Sequence, residues 1–217
     1  MKYNIISSSS SGNSIIIEDI MLLDAGVSYS KLKQYLKNIK LIFISHSHKD
    51  HLNPTTIKHI AFEYPTIKYI CGSIEAIGII KECGVKPKNI YFLKPYKKYD
   101  LGLLKVKLEE LIHDKHNCAL KWEYKGKKGI YMVDTASTNN IVAKNYDLYL
   151  IEANYKEKEL KKHRKECEDP NKLYYFDRVV KSHLSYENAN TFLIENMGKN
   201  SVYEYIHKSN YNFKGDE

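Results

Sequence analysis

Between positions 46 and 51 the chain reads His46-Ser47-His48-Lys49-Asp50-His51. The apolar run Leu41-Ile42-Phe43-Ile44 ends just before it, and Asn53-Pro54 follows just after. An apolar run of four reads as a buried strand. Side chains alternate along extended chain, so His46 and His48 leave that strand on the same side. Asn suits a helix cap and Pro the first helical position beyond it. Three imidazoles and a carboxylate therefore sit on a turn from a buried strand into a helix. Folding has no use for such crowding: charged, the groups repel, and neutral, they pack poorly. One divalent metal ion or a pair of them removes the conflict, which restricts the chain to folds that open a buried strand end onto a site.

A chain of 217 residues suffices for one sizeable domain, and the whole span 1–217 is expected to form it. The net charge of +8 favours polyanions such as nucleic acid or nucleotides. Cys71, Cys83, Cys118 and Cys167 form no C-x-x-C pair, which points to reduced thiols in a cytoplasm. The first residues carry a serine run rather than a signal peptide, and no apolar run approaches a membrane span. The expectation is a cytoplasmic protein, in its own cell or a host cell, with no membrane partner.

Patterning gives the expected elements. Strands are read at 3–6, 14–17, 20–24, 41–44, 67–71, 91–93, 103–108, 119–124, 130–133, 148–151 and 201–206. Helices are read at 29–39, 54–62, 73–83, 155–168 and 186–197, the third closed by Gly84. Ser7–Ser11 is read as a loop with a turn at Gly12-Asn13, and 125–129 as a hairpin turn. Strands cluster in both halves with helices between them, which suggests two sheets packed face to face under helices, an α+β architecture.

His46-Ser47-His48-Lys49-Asp50-His51 resembles the H-x-H-x-D-H signature of the metallo-β-lactamase-fold hydrolases. Leu22-Leu23-Asp24-Ala25-Gly26, His113-Asp114 and Met132-Val133-Asp134-Thr135 follow in that family's order, so the resemblance spans nearly the whole chain. It implies an αββα sandwich with two mixed sheets. It also implies two divalent ions, zinc or manganese. One would be held by His46, His48 and His113, and the other by Asp50, His51 and His207, with Asp134 bridging. In the family's phosphodiesterase branch a His precedes a helix and a metal-binding His ends the next strand. By that likeness His183 is the general acid, Glu152 orients it, and Asp50 helps orient a hydroxide shared by the ions. His116 is the alternative to His113.

The implied activity is metal-dependent phosphodiester hydrolysis, with a nuclease on DNA or RNA as the first reading. Ser8-Ser9-Ser10-Ser11-Gly12-Asn13-Ser14, His183-Leu184-Ser185 and Glu152-Ala153-Asn154 resemble elements of the small WalJ/YycJ-like exonucleases. The same motifs resemble phage enzymes that hydrolyse cyclic nucleotides to silence immune signalling, with a pocket that a homodimer partner would complete. A thioester or lactone hydrolase is a third reading, and a metal-bearing binding module a fourth. Only 49 positions separate Asp134 from His183, too few for the large insertion of the β-CASP RNA-processing relatives. Lys94, Lys97 and Lys98 alternate with Tyr96 and Tyr99, a pattern that can hold phosphates and stack bases.

Overall fold

The computed structural model describes residues 1–138 and 140–208; position 139 and the last nine of the expected 1–217 domain lie outside the described residues. The chain opens with three strands, β1 (Tyr3–Ser9), β2 (Gly12–Ile17) and β3 (Met21–Leu23). Next come α1 (Tyr29–Leu32), which runs into a 3₁₀ turn at Lys33–Asn38, then β4 (Leu41–Ile44), α2 (Pro54–Glu63), β5 (Lys68–Cys71), α3 (Ile74–Glu82) and β6 (Ile90–Phe92). The second half supplies β7 (Lys98–Asp100), β8 (Lys105–Leu111), β9 (Asn117–Tyr124), β10 (Lys127–Met132) and β11 (Leu148–Glu152). It ends with α4 (Glu157–Glu166), α5 (Pro170–Ser182), α6 (Tyr186–Asn196) and β12 (Val202–Ile206).

These strands form two mixed six-stranded sheets, ordered β1-β2-β3-β4-β5-β6 and β12-β11-β10-β9-β8-β7. Period-two alternation divides each strand between two cores. Ile15, Ile17, Leu23 and Phe43 face Leu108, Leu120, Tyr131 and Leu150 of the other sheet, while Ile16, Leu22, Ile42 and Ile44 pack under α2 and α3. On the outer face of the second sheet Ile130, Tyr149 and Ile151 meet Phe192 and Leu193 of α6. The order of layers is therefore helix, sheet, sheet, helix, as expected from the strand grouping.

Four local readings need correction. Ser7, Ser8 and Ser9 are strand residues, because pairing with Ser14, Asn13 and Gly12 carries the β1–β2 ladder almost to its tip, past a bulge after Ile5. The hairpin turn at 125–129 shrinks to Lys125-Gly126, both at positive φ (48° and 76°), because Lys127 already pairs with Tyr124. Strand β7 is short and largely exposed, without an apolar face of its own, and is held by pairing with β8. Helix α5 was not expected at all, although Asp169 caps it, Pro170 occupies its first turn, and Phe176 and Val179 form its buried stripe. Among the described residues no helix is long and apolar enough to cross a membrane.

Candidate metal centre

The carboxyl ends of the parallel strands share one rim of the sandwich, the usual place for a site in such sheets. Asp24 follows β3, the histidine cluster follows β4, Asp134 follows β10, Glu152 ends β11 and His207 follows β12. Asp24, Asp134 and His207 all turn off their strands with φ between 50° and 55°, a left-handed conformation uncommon outside glycine. Three such turns at one rim direct three polar side chains inward. They recur where surrounding contacts over-determine a site.

The structure brings together every side chain expected to touch metal. His46 Nε2 lies 3.0 Å from His48 Nδ1, which lies 3.3 Å from His113 Nε2. His51 Nε2 lies 3.1 Å from Asp50 Oδ2 and 3.0 Å from Asp134 Oδ2. His207 Nε2 is 3.3 Å from Asp50 Oδ2, and His46 Nε2 is 3.3 Å from Asp134 Oδ2. Three groups have ligand atoms close enough to hold an ion: His46, His48, His113 and Asp134; Asp50, His51, Asp134 and His207; and Asp134, Glu152, His183 and His207, with Asp134 in all three. His116, the alternative to His113, stands apart and exposed, 3.5 Å from Glu110.

The donor set fits divalent ions. Two atoms bound tetrahedrally at about 2.0–2.1 Å stand about 3.3 Å apart, close to the spacings above. His46 and His113 both turn Nε2 toward His48 Nδ1, and one proton cannot satisfy both contacts. Asp134 Oδ1 is buried with no well-aligned hydrogen bond, its nearest nitrogens being His207 Nδ1 at 3.1 Å and His183 Nδ1 at 3.3 Å. The titration of the groups reflects this crowding. Burial and its neighbour His51 push His46 down to about 4. Burial alone would also lower His207, but Asp134 and Asp50 outweigh it and raise it to about 9. Burial opposes ionisation of Asp50 as well, yet contacts from His207 and His51 hold its carboxyl well below the usual range.

Supporting contacts fix which nitrogen each ring presents. His51 Nδ1 lies 2.6 Å from Asp24 Oδ2, so Nε2 is left for the cluster. Asp24 is fully buried and also accepts from the Ser45 N–H (2.8 Å), Ser45 Oγ (2.9 Å) and Tyr131 OH (2.7 Å). Asp24 carries a supporting role that its motif alone does not reveal, the one signal in the residues being a carboxylate at a strand end before Ala25-Gly26. His113 Nδ1 lies 3.0 Å from the Ser182 carbonyl, in the last turn of α5. Asn13 Nδ2 reaches Asp50 Oδ2 and His51 Nε2, and Ser8 Oγ accepts from the His207 N–H at 2.8 Å, so the serine hairpin braces the second group.

His183 stands immediately after α5, with Nδ1 2.7 Å from Glu152 Oε1. Glu152 is fully buried and accepts from the Thr135 N–H (2.9 Å) and the Leu184 N–H (3.2 Å) through its other oxygen. Burial would lower the His183 pKa, but Asp134 and Glu152 outweigh it and raise it to about 10. His183 lines a cleft of about 370 Å³ together with His48, His113, Asp134, Tyr175 and Arg178. Cys118 lies fully buried, its thiol pushed up to about 12 by burial, and has no nucleophilic part here. The Lys94–Tyr99 segment lies away from the cleft, and Tyr99 OH is occupied by the Lys94 backbone.

No protein-family model matches the chain. Among curated proteins it is similar to cytidine monophosphate-N-acetylneuraminic acid hydroxylase of Sus scrofa, 30% identical over 48% of this chain and 25% of that protein. The inactive human counterpart is 31% identical over 46% of this chain and 21% of that protein. The match thus spans between 17% and 25% of the length of the curated relatives. Among solved structures it resembles the metallo-beta-lactamase fold protein YhfI of Bacillus subtilis (TM-score 0.70, 15% identity, 96% of this chain and 86% of that one). Human tRNase Z, short form, superposes with a TM-score of 0.68 at 16% identity over 96% of this chain and 93% of that one. A diphosphatase of the PhnP family gives 0.60 at 12% identity over 95% and 85%. The chain has the metallo-β-lactamase fold.

Proposed function

We propose that this chain is a two-metal hydrolase of phosphodiester bonds in which His46, His48, His113, Asp134, Asp50, His51 and His207 hold the ions and His183 protonates the leaving oxygen. The observation that carries the reading is the His183–Glu152 pair. A metal cluster alone suits many esters, whereas an alkoxide leaving from phosphorus also needs a proton delivered in place. Glu152 occupies Nδ1 of His183 at 2.7 Å, so Nε2 is the nitrogen left to carry the mobile proton. Against burial, Asp134 and Glu152 both raise the ring's pKa, and Glu152, which is outside the proposed ligand set, favours the protonated state a general acid requires.

A pair of divalent ions held here, zinc or manganese, would supply Lewis acidity, lowering the pKa of water and offsetting phosphoryl charge. Asp50, held deprotonated by His207 and His51, is placed to accept a proton and orient a nucleophile. The buried Asp24 and Glu152 keep the rings beside them from turning. Two of the solved structures of similar fold are named for phosphate chemistry, a tRNase and a diphosphatase, which supports the same class.

The first substrate reading is a DNA or RNA strand, supported by the net charge of +8 and by the serine hairpin packed against Asp50. The second keeps the chemistry and takes a cyclic nucleotide. The cleft of about 370 Å³ favours it, being at the small end for a ligand site. The test is to offer the purified protein, with Mn²⁺ or Zn²⁺, labelled DNA, labelled RNA and a panel of cyclic nucleotides. Metal-dependent cleavage is expected in one class; no cleavage of any phosphodiester would sink both readings.

A further inference from the structure

The chain carries 34 lysines and arginines, of which only Arg164 and Arg178 are arginine. Both lie on the α4–α5 pair. Arg164 Nη2 meets Asp177 Oδ1 at 2.8 Å and ties α4 to α5. The next residue, Arg178, turns into the cleft, its guanidinium carbon 5.9 Å from the Tyr175 ring centre. Among the described residues Arg178 makes no ion pair. A solvated surface cation could equally be lysine, the residue used everywhere else but at the ion-paired Arg164. Arginine differs by its planar fork, which binds phosphate through two parallel hydrogen bonds and stacks on aromatic faces.

Position on the helix says which phosphate this would be. Arg178 precedes His183 by five residues, about 7.5 Å of helical rise. A phosphate held at Arg178 is therefore a neighbour of the one facing His183. Of the acidic lining residues, Asp50 and Asp134 belong to the metal groups and Asp114 lies 3.0 Å from His113 Nε2 and 3.4 Å from His48 Nε2, while Lys49 is the other cation of the lining. The same helix ends on Ser182, whose carbonyl holds His113, and then on His183 itself.

Resting on the phosphodiesterase reading, we propose that α5 is the substrate-recognition element. Arg178 grips a second, non-reacting phosphate of the substrate and Tyr175 offers a ring to the adjoining base. The preferred substrate class is a nucleotide chain end with a phosphate next to the scissile one.

The test compares a dinucleotide carrying a 5′-phosphate with the same dinucleotide lacking it. Wild type is expected to prefer the phosphorylated form by ~10–100-fold in kcat/KM, mostly through KM, as a charge-assisted pair implies. In Arg178→Gln the preference should fall to within about threefold, with Arg178→Lys in between because the fork is lost while the charge remains. Persistence of the preference in Arg178→Gln, or its absence in wild type, overturns the proposal. An equal loss on both dinucleotides also overturns it, since Arg178 would then hold the scissile phosphate. Arg178 is exposed, so the variants should fold, and a melting curve checks this. Binding of the two dinucleotides with an uncleavable methylphosphonate linkage to the metal-loaded protein separates recognition from chemistry. Tenfold weaker binding of the phosphorylated form by Arg178→Gln, in a protein that cleaves nothing, would keep the α5 site and remove the hydrolase reading. Equal binding of both forms by wild type would remove the α5 site.

Discussion

Asp24→Asn tests whether the buried carboxylate sets the chemistry of His51. The exchange keeps shape and volume, and at φ 55° asparagine is tolerated as well as aspartate, so the backbone is not perturbed. It replaces one acceptor by an NH₂ donor, and there are two ways to place it. In the position of Oδ1 the amide opposes the Ser45 backbone N–H, 2.8 Å away, which cannot turn. Two buried donors then face each other at a cost of about 1–3 kcal/mol. In the position of Oδ2 the hydroxyls of Ser45 and Tyr131 can rotate, but His51 cannot keep its proton on Nδ1, 2.6 Å away. The proton moves to Nε2, the nitrogen that faces Asp50 and Asp134. Either placement should weaken one metal site ~10–100-fold, about 1.4–2.8 kcal/mol, the usual effect of losing such a support. Competition with a chromophoric zinc chelator at pH 7 reads both sites. One affinity should fall by that factor while the other stays within about threefold. Two unchanged affinities in a folded variant would refute the argument that Asp24 selects the His51 tautomer.

Three further outcomes follow from the same geometry. His183→Ala and Glu152→Gln should each lose ~10²–10⁴-fold in turnover while keeping both ions by elemental analysis, whereas His207→Ala should lose an ion; full turnover in His183→Ala with both ions kept in His207→Ala would reverse that division of the two histidines. The metal-free protein should be most stable near pH 6.5. His207, raised to about 9, contributes stability that is complete below 6.5 and lost as pH rises through 9, while His46, lowered to about 4, contributes stability gained between 4 and 6.5. Melting curves in chelator across pH 4–10 check this, and a midpoint that climbs from 6.5 to 9 contradicts it. Gly26→Ala should destabilise by more than about 3 kcal/mol or prevent folding, because a Cβ there would lie 1.7 Å from the Asp50 carbonyl oxygen. A denaturation midpoint like that of wild type would mean the Asp50 turn yields easily.

What could be read from residues alone was whatever depends on a few neighbours in sequence. His46 to His51 form one turn, so their spacing already brings their side chains together, and the apolar run before them identifies a buried strand. The grouping of strands in both halves, with helices between them, likewise foretold two stacked sheets under helices. Asp134 was legible as a carboxylate ending an apolar strand, where a lone charge would be costly, while Glu152 was reached only through the family resemblance. Other features depend on long-range pairing, which local spacing does not encode. His113 joins His48 and His116 does not, because β8 and β9 pair from Leu111 to Asn117 and turn the segment between them at the rim. Asp24 meets His51 and Tyr131 only because β3 lies beside β4 in one sheet and that sheet packs on β10 of the other. Helix α5 had its cap and stripe in plain view, but its meaning came from docking, which set the Ser182 carbonyl on His113 and Arg178 in the cleft. The sequence by itself determined the ligand types and the layers, since these follow from side-chain chemistry and periodicity. The tertiary structure decided which distant groups share a contact, since that depends on how strands far apart in the chain pair and stack.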